Sequence, residues 1–175
     1  MSGDELVALY DPDDDLGRVV GAAPRWRVRR DNLPHAATGV LLRRPTGEVL
    51  VHRRAAVKDL WPGAEDCAFG GVVLAGESPD DAAHRELAEE AGVRGADLRP
   101  LMRTWFRDGS AWYLAHVYEA VWSGPVRFTD GEVDAAWWEP WADAVRRSGE
   151  PGFVPDTRLL MEHLADDERR APKRG

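Results

Sequence analysis

Glu86, Glu89 and Glu90 stand at i, i+3 and i+4, the spacing that puts three carboxylates on one face of a helix. Like charges so placed repel one another and weaken an isolated helix, so the pattern calls for a cation among them. Arg85 lies four residues after Asp81 and four before Glu89, within reach to brace these carboxylates rather than touch a substrate. The helix that must carry them announces both its ends. Ser78 is a good N-cap, Pro79 fits the first helical position, Asp81 can complete a capping box, and Gly92 suits a left-handed C-cap. Ala83, Leu87 and Ala91 repeat every four residues and predict the face turned to the core.

Around that helix the chain alternates strand and helix signals. Leu6–Tyr10 and Arg18–Gly21 read as short strands joined by the acidic turn Asp11–Asp15, which is expected to be solvated rather than chelating. Trp26–Asn32 reads as a helix or an extended arm. With Arg25, Arg27, Arg29 and Arg30 it is either a basic surface strip or a phosphate clamp. Ala36–Arg43 and Glu48–Arg54 predict a hairpin turned by Pro45-Thr46-Gly47. Leu98–Phe106 and Ala111–Trp122 predict paired strands, Glu132–Trp138 a further strand, and Pro140–Arg147 and Asp156–Leu164 helices. Strands interleaved with helices imply an α/β fold in which a mixed sheet is sandwiched between helices.

Composition narrows the function classes. With 175 residues, 43% of them hydrophobic, the chain can bury one substantial core. A net charge of −8 disfavours general nucleic-acid binding, yet a local cation site can still attract a phosphorylated small molecule. No run is long and apolar enough to cross a membrane, and Met1-Ser2-Gly3-Asp4-Glu5 lacks the regions of a signal peptide. The lone Cys67 rules out an internal disulfide framework and agrees with a cytoplasmic location. Oligomeric state is not legible.

The run Gly71, Glu77, Arg85-Glu86-Leu87-Ala88-Glu89-Glu90-Ala91-Gly92-Val93 resembles, without a departure, the signature G-x5-E-x7-R-E-U-x-E-E-x-G-U of the Nudix hydrolases. A solvated acidic face would require the glycines, Arg85 and Glu77 to be accidental as well. The resemblance implies a Nudix α/β/α sandwich with an N-terminal β-hairpin extension. Residues 1–34 would be the hairpin and basic arm packed on the domain, 35–165 the hydrolase domain, and 166–175 a frayed tail. It also implies a metal-dependent hydrolase acting on a small-molecule diphosphate. Mg2+, for which Mn2+ can substitute, would be held by Glu86, Glu89, Glu90 and the Gly71 carbonyl. Glu77 would pack back toward Arg85, both as supports of the metal ligands. The catalytic set would be Glu86, Glu89, Glu90 and Glu132, with Glu86 and Glu132 as rival general bases and Glu139 a weaker one.

A second resemblance runs over roughly residues 5 to 164. Asn32-Leu33-Pro34-His35-Ala36-Ala37-Thr38, Arg53-Arg54, Lys58-Asp59-Leu60-Trp61-Pro62-Gly63 and Glu132-Val133…Trp138 are similar to the branch containing isopentenyl-diphosphate isomerase. It implies a substrate pocket using His35, Arg53, Arg54 and Trp61. Those isomerases place a cysteine just before the opening glycine and a metal-binding histidine just after it, where this chain has Gly70 and Val72. Two later-strand glutamates would fall at Ala111 and Tyr113. Hydrolysis is therefore expected over isomerisation or diphosphate binding without turnover. Cys67 is expected to be buried and inert, and His52, His84, His116 and His163 to be surface or core polar residues. Trp112 and Trp122 are expected in the core, and some of Trp61, Trp105, Trp137, Trp138 and Trp141 in a cleft.

Overall fold

The computed structural model describes residues 4–129 and 131–170. Met1–Gly3, Asp130 and the end of the expected tail, 171–175, lie outside the described residues. The chain runs β1 (Leu6–Tyr10), β2 (Val19–Pro24), α1 (Arg25–Asp31), β3 (His35–Arg43), β4 (Glu48–Arg54), β5 (Glu65–Asp66), β6 (Ala68–Phe69), α2 (Pro79–Ala91), β7 (Arg99–Arg107), β8 (Trp112–Val121), β9 (Val133–Pro140), α3 (Trp141–Ser148) and α4 (Pro155–Arg170).

One curled mixed sheet organises these elements. β3 pairs in parallel with β8 along its whole length, from His35↔Tyr113 to Arg43↔Val121, and β8 pairs antiparallel with β7. On its other edge β3 meets β1 at Leu9↔His35 and β6 at Val40↔Phe69. The hairpin expected between β3 and β4 closes only at its turn, with the single pair Arg43↔Val49. Beyond it the strands diverge: β4 takes β9 and β5 as neighbours, β3 takes β6, and the Cys67 segment fills the gap.

Alternation along the central strands builds a core on each face. Val40, Leu42 and Leu50 pack with Phe69, Tyr118 and the Ala83, Leu87, Ala91 stripe of α2. Leu41, Val49 and Val51 face the other way, against Cys67, Ala144 of α3 and Met161 of α4. The α/β/α layering follows. Val28 of α1 joins Val7, Ala23 and Val72 in a smaller cluster, holding the N-terminal unit against the chain just after Gly71. The Trp26–Asn32 stretch is thus helical, ended by Asn32 in the left-handed region (φ 46°). α4 continues through Arg170 rather than fraying at Asp166, because the Ala, Glu and Arg of that segment favour helix.

Candidate active site

Two glycines let the glutamate helix approach the sheet. A Cβ on Gly70 would lie 1.9 Å from the Thr38 carbonyl oxygen, and one on Gly71 would lie 2.4 Å from Glu86 Oε1. The Glu86 carboxylate therefore packs directly on the Gly71 backbone. Ser78 caps α2 by accepting from Asp81 N–H at 3.1 Å, and Gly92 closes it in the left-handed conformation (φ 65°).

The three glutamates have different surroundings. Glu86 and Glu90 are buried, whereas the Glu89 side chain is 50% exposed. Arg85 ties them to Glu77: its Nε and Nη2 donate to the Glu77 carboxylate at 2.8 and 2.9 Å, and Nη1 donates to Glu86 at 2.7 Å and to Glu89 at 3.4 Å. Arg85 Nη2 also donates to the Val72 carbonyl at 3.2 Å, fastening helix to glycine turn. Asp81, the other neighbour expected for Arg85, is engaged by Ser78 instead. Glu90 accepts from Gly70 N–H at 2.9 Å and from Lys58 Nζ at 3.1 Å. The same ammonium contacts Glu132. Lys58 opens the loop Lys58–Gly63, and nothing in its local sequence marks this role.

Burial raises the pKa of Glu86, against the pull of Arg85, and pushes Glu90 up to about 8, against the pull of Lys58. The cluster is short of positive charge. Among the described residues no three His, Cys, Asp or Glu side chains stand together as a ready metal cluster, because Arg85 and Lys58 engage the carboxylates separately. The donors still fit a hard divalent cation: three carboxylates on one rigid face, two of them buried and costly to charge. The Gly71 carbonyl accepts from Thr38 N–H at 2.8 Å and retains a second lone pair.

A cavity of about 280 Å³ opens from the Gly70–Gly71 turn and runs between the sheet and α4. His35, Arg54 and Trp61 line it. Arg53 does not. Adjacent strand residues point to opposite faces, and Arg53 reaches Glu65 at 3.5 Å beside a separate small cleft. Arg54 is itself engaged, donating to the Leu60 carbonyl at 3.1 Å and to Asp66 at 3.4 Å. His35 is buried, donates from Nδ1–H to the Leu33 carbonyl at 2.8 Å, and has its pKa lowered to about 4 by burial. Trp61 (φ 47°) meets Phe106 edge-on, and Trp105 also lines the cavity. Trp137, Trp138 and Trp141 pack in the cores instead. Trp112 and Trp122 are only partly buried, Trp122 packing against the α2 core.

The far wall holds a cluster that carries no local sequence signal, since it gathers three distant segments. The Tyr113 hydroxyl bonds to Asp156, and Thr157 donates to Asp66 at 2.6 Å. Burial and the neighbouring Asp66 raise the Asp156 pKa to about 6. Cys67 is fully buried beside Met161, and burial pushes its thiol well up. His52 is buried, stacked on Phe69 at 4.4 Å; His116 is partly buried on β8, and His163 lies at the cavity edge. The Asp11–Asp15 turn closes on itself, with Asp11 and Asp14 binding Arg18 and turn amides.

A glycine turn beneath a glutamate helix, opening on a cleft over a curled mixed sheet, defines a Nudix-type site. The NUDIX domain model matches residues 33–162. An uncharacterized Nudix hydrolase of Streptomyces coelicolor is 42% identical over 159 residues, covering 89% of this chain and 85% of that protein. One from Rhodococcus erythropolis is 35% identical over 171 residues, 90% of each. The chain belongs to the Nudix hydrolase family. Its fold resembles a crystal structure from Deinococcus radiodurans (TM-score 0.75, 24% identity, 91% of this chain and 98% of that one). It also resembles the Nudix domain of NrtR from Shewanella oneidensis complexed with ADP ribose (TM-score 0.59, 21% identity, 78% and 88%).

Proposed function

We propose that this Nudix hydrolase is a divalent-metal-dependent pyrophosphohydrolase that cleaves the diphosphate linkage of a nucleoside diphosphate derivative or another organic diphosphate. The observation that carries this reading is the α2 face, where Glu86 and Glu90 are buried against Gly71 and Gly70 and short of positive charge. Glu86, Glu89 and Glu90, with the Gly71 carbonyl, would hold Mg2+ or Mn2+. Such an ion supplies charge neutralisation on the phosphates and a more acidic attacking water. Arg85, gripped by Glu77, positions the glutamates. Glu132 and Glu86 remain the two candidate bases. Glu132 stands beside Lys58, whose ammonium outweighs the burial that would raise its pKa and holds it below the ordinary range, so it is charged and able to accept a proton.

The ADP ribose held by the NrtR neighbour supports a diphosphate ligand. His35, Arg54 and Trp61 line the cavity and are proposed to contact that substrate. The Gly70 backbone supports hydrolysis over isomerisation, since any side chain there would collide with Thr38, and the isomerase-like branch would need a cysteine at that position. A cytoplasmic location is part of the same proposal, supported by the single, buried, reduced Cys67. The test is a panel of organic diphosphates incubated with Mg2+ and with Mn2+, with isopentenyl diphosphate included. Metal-dependent release of a phosphorylated product is expected. Conversion of isopentenyl diphosphate to its isomer, or tight binding across the panel without product, would overturn the reading.

A further inference from the structure

The four arginines of the N-terminal arm divide by helical face. Arg27 and Arg30 point outward and share Asp31, at 3.5 and 2.7 Å, with Arg30 also lying over Trp26. Arg25 and Arg29, one turn apart, line the cavity together with Arg54 and Lys58. Arg29 lies 3.4 Å from Asp59 and Arg25 lies 3.8 Å from Glu5, both longer than a charge-assisted hydrogen bond. Arg29 Nε, the atom that faces Asp59, is buried and makes no hydrogen bond. Burial lowers the Arg29 pKa, and the like charges of Arg25 and Arg54 add to the effect despite Asp59. Part-buried cations crowded in this way favour an anion between them. Lys58 touches Glu90 and shares the cavity lining with Arg25, Arg29 and Arg54, so the strip of cations leads from the glutamate helix into the cavity. Behind it, Trp61, Phe106 and Tyr113 form an aromatic wall, with rings 6.4 and 5.4 Å apart in turn.

We propose that α1 is part of the binding site: Arg25 and Arg29 form a phosphate-binding wall that works without metal, and the aromatic wall seats the apolar or aromatic group attached to that phosphate. The substrate class is then an organic diphosphate whose non-phosphate end is planar or apolar. This rests on the diphosphate reading for the ligand's identity, whereas the anion site is measurable without turnover. Val28, packed on Val72 next to the glycine turn, holds α1 at this place. Two arginines suit the several oxygens of a phosphate, which accept forked pairs of N–H bonds.

The experiment measures inorganic pyrophosphate binding to the full chain in EDTA, by calorimetry and by the shift in melting temperature, against sodium chloride at matched ionic strength. The parent is expected to bind. Arg25→Gln and Arg29→Gln should each weaken binding about tenfold, the loss expected for one charge-assisted contact. Asp59→Asn removes the carboxylate facing Arg29 and should bind pyrophosphate at least as tightly as the parent. If Arg29 and Asp59 form only a strut between α1 and the following loop, Arg29→Gln and Asp59→Asn will lose stability alike and keep the parent's affinity. That result, or a parent that binds no pyrophosphate without metal, overturns the proposal. Neither touches the reading of metal-dependent hydrolysis, which the diphosphate panel tests separately.

Discussion

Lys58 Nζ lies 3.1 Å from Glu90 Oε1 and also contacts Glu132, joining the glutamate helix to the start of β9 through one ammonium. Its side chain is 11% exposed and that of Glu90 7%, so the pair is desolvated. Removing Lys58 leaves the charged Glu132 without its cation and Glu90 without the ammonium that opposes burial, at a cost on the order of 3 kcal/mol. Lys58→Met should therefore lower the stability of the metal-free protein, measured by urea unfolding in EDTA. It should also bind Mn2+ more tightly, because an ammonium no longer competes for Glu90. Unchanged Mn2+ affinity by titration calorimetry would contradict that competition.

The two glycines predict opposite kinds of failure. At Gly70 the obstacle is backbone, the Thr38 carbonyl oxygen at 1.9 Å from an added Cβ. Gly70→Ala must shift the turn or β3, and a loss of about 4 kcal/mol or failure to fold is expected, as for overpacking against rigid backbone. At Gly71 the obstacle is the Glu86 carboxylate, which can turn away. Gly71→Ala should stay folded by circular dichroism while metal affinity and hydrolysis fall together.

Glu89 is the ligand candidate that can be changed at least cost to the fold, since it is half exposed and its 3.4 Å contact with Arg85 is one of several that Arg85 makes. Glu89→Gln should melt within a few degrees of the parent and lose roughly 100-fold or more in turnover. Equal turnover by both, on a substrate the parent cleaves with metal, would remove Glu89 from the site.

Much of this was legible because local signals agreed with one another. Ser78, Pro79 and Gly92 mark the ends of α2, and Ala83, Leu87 and Ala91 mark its buried face. The Nudix resemblance implies that Glu77 packs toward Arg85, and the two pair at 2.8 Å. What stayed hidden depends on tertiary pairing. Nothing near Thr46 says that β3 and β4 separate after one pair, because the strands that part them come from residues 65–69 and 133–140. Lys58 looked like a loop residue, and its meeting with Glu90 spans 32 positions. Asp156 and Tyr113 meet across 43. Arg53 and Arg54 were equivalent in sequence and are separated by the strand's two-residue repeat.

Two buried histidines set the acid limit of the fold. Burial lowers the pKa of His35 and of His52 to about 4, below the 6.5 expected in the unfolded chain. Above pH 6.5 both states are neutral; as pH falls, the unfolded chain takes up protons first, and stability is lost until the folded pKa is passed. Each histidine accounts for up to about 3 kcal/mol across that window. Asp156, raised to about 6, works against them, since its cost of charging is relieved as pH falls. Glu86 and Glu90, also raised by burial, oppose them in the same way, so the histidines are read by difference: from about pH 7.5 to about pH 4.5, His52→Leu should lose less unfolding free energy, or gain more, than the parent. An equal slope in that variant would show that His52 is not held neutral.

Metal and acid should compete for the same carboxylates. Burial raises Glu86, and Glu90 stands at about 8, against an ordinary glutamate near 4.3. A raised folded pKa in an acid means that charging costs more in the fold than in the unfolded chain. This cluster thus favours stability below the ordinary carboxylate range and lowers it as pH rises through the folded values. A divalent ion reverses the preference by stabilising the charged form. Mg2+ or Mn2+ is therefore expected to raise the melting temperature at neutral pH by mass action on the folded state, and the gain should fade as protons occupy the ligands. Melts with and without metal, at neutral and mildly acidic pH, supply the comparison, and Glu86→Gln/Glu89→Gln/Glu90→Gln supplies the control. If the triple variant keeps the full metal-dependent gain, the ion binds elsewhere, with the Asp13–Asp15 turn the next place to look.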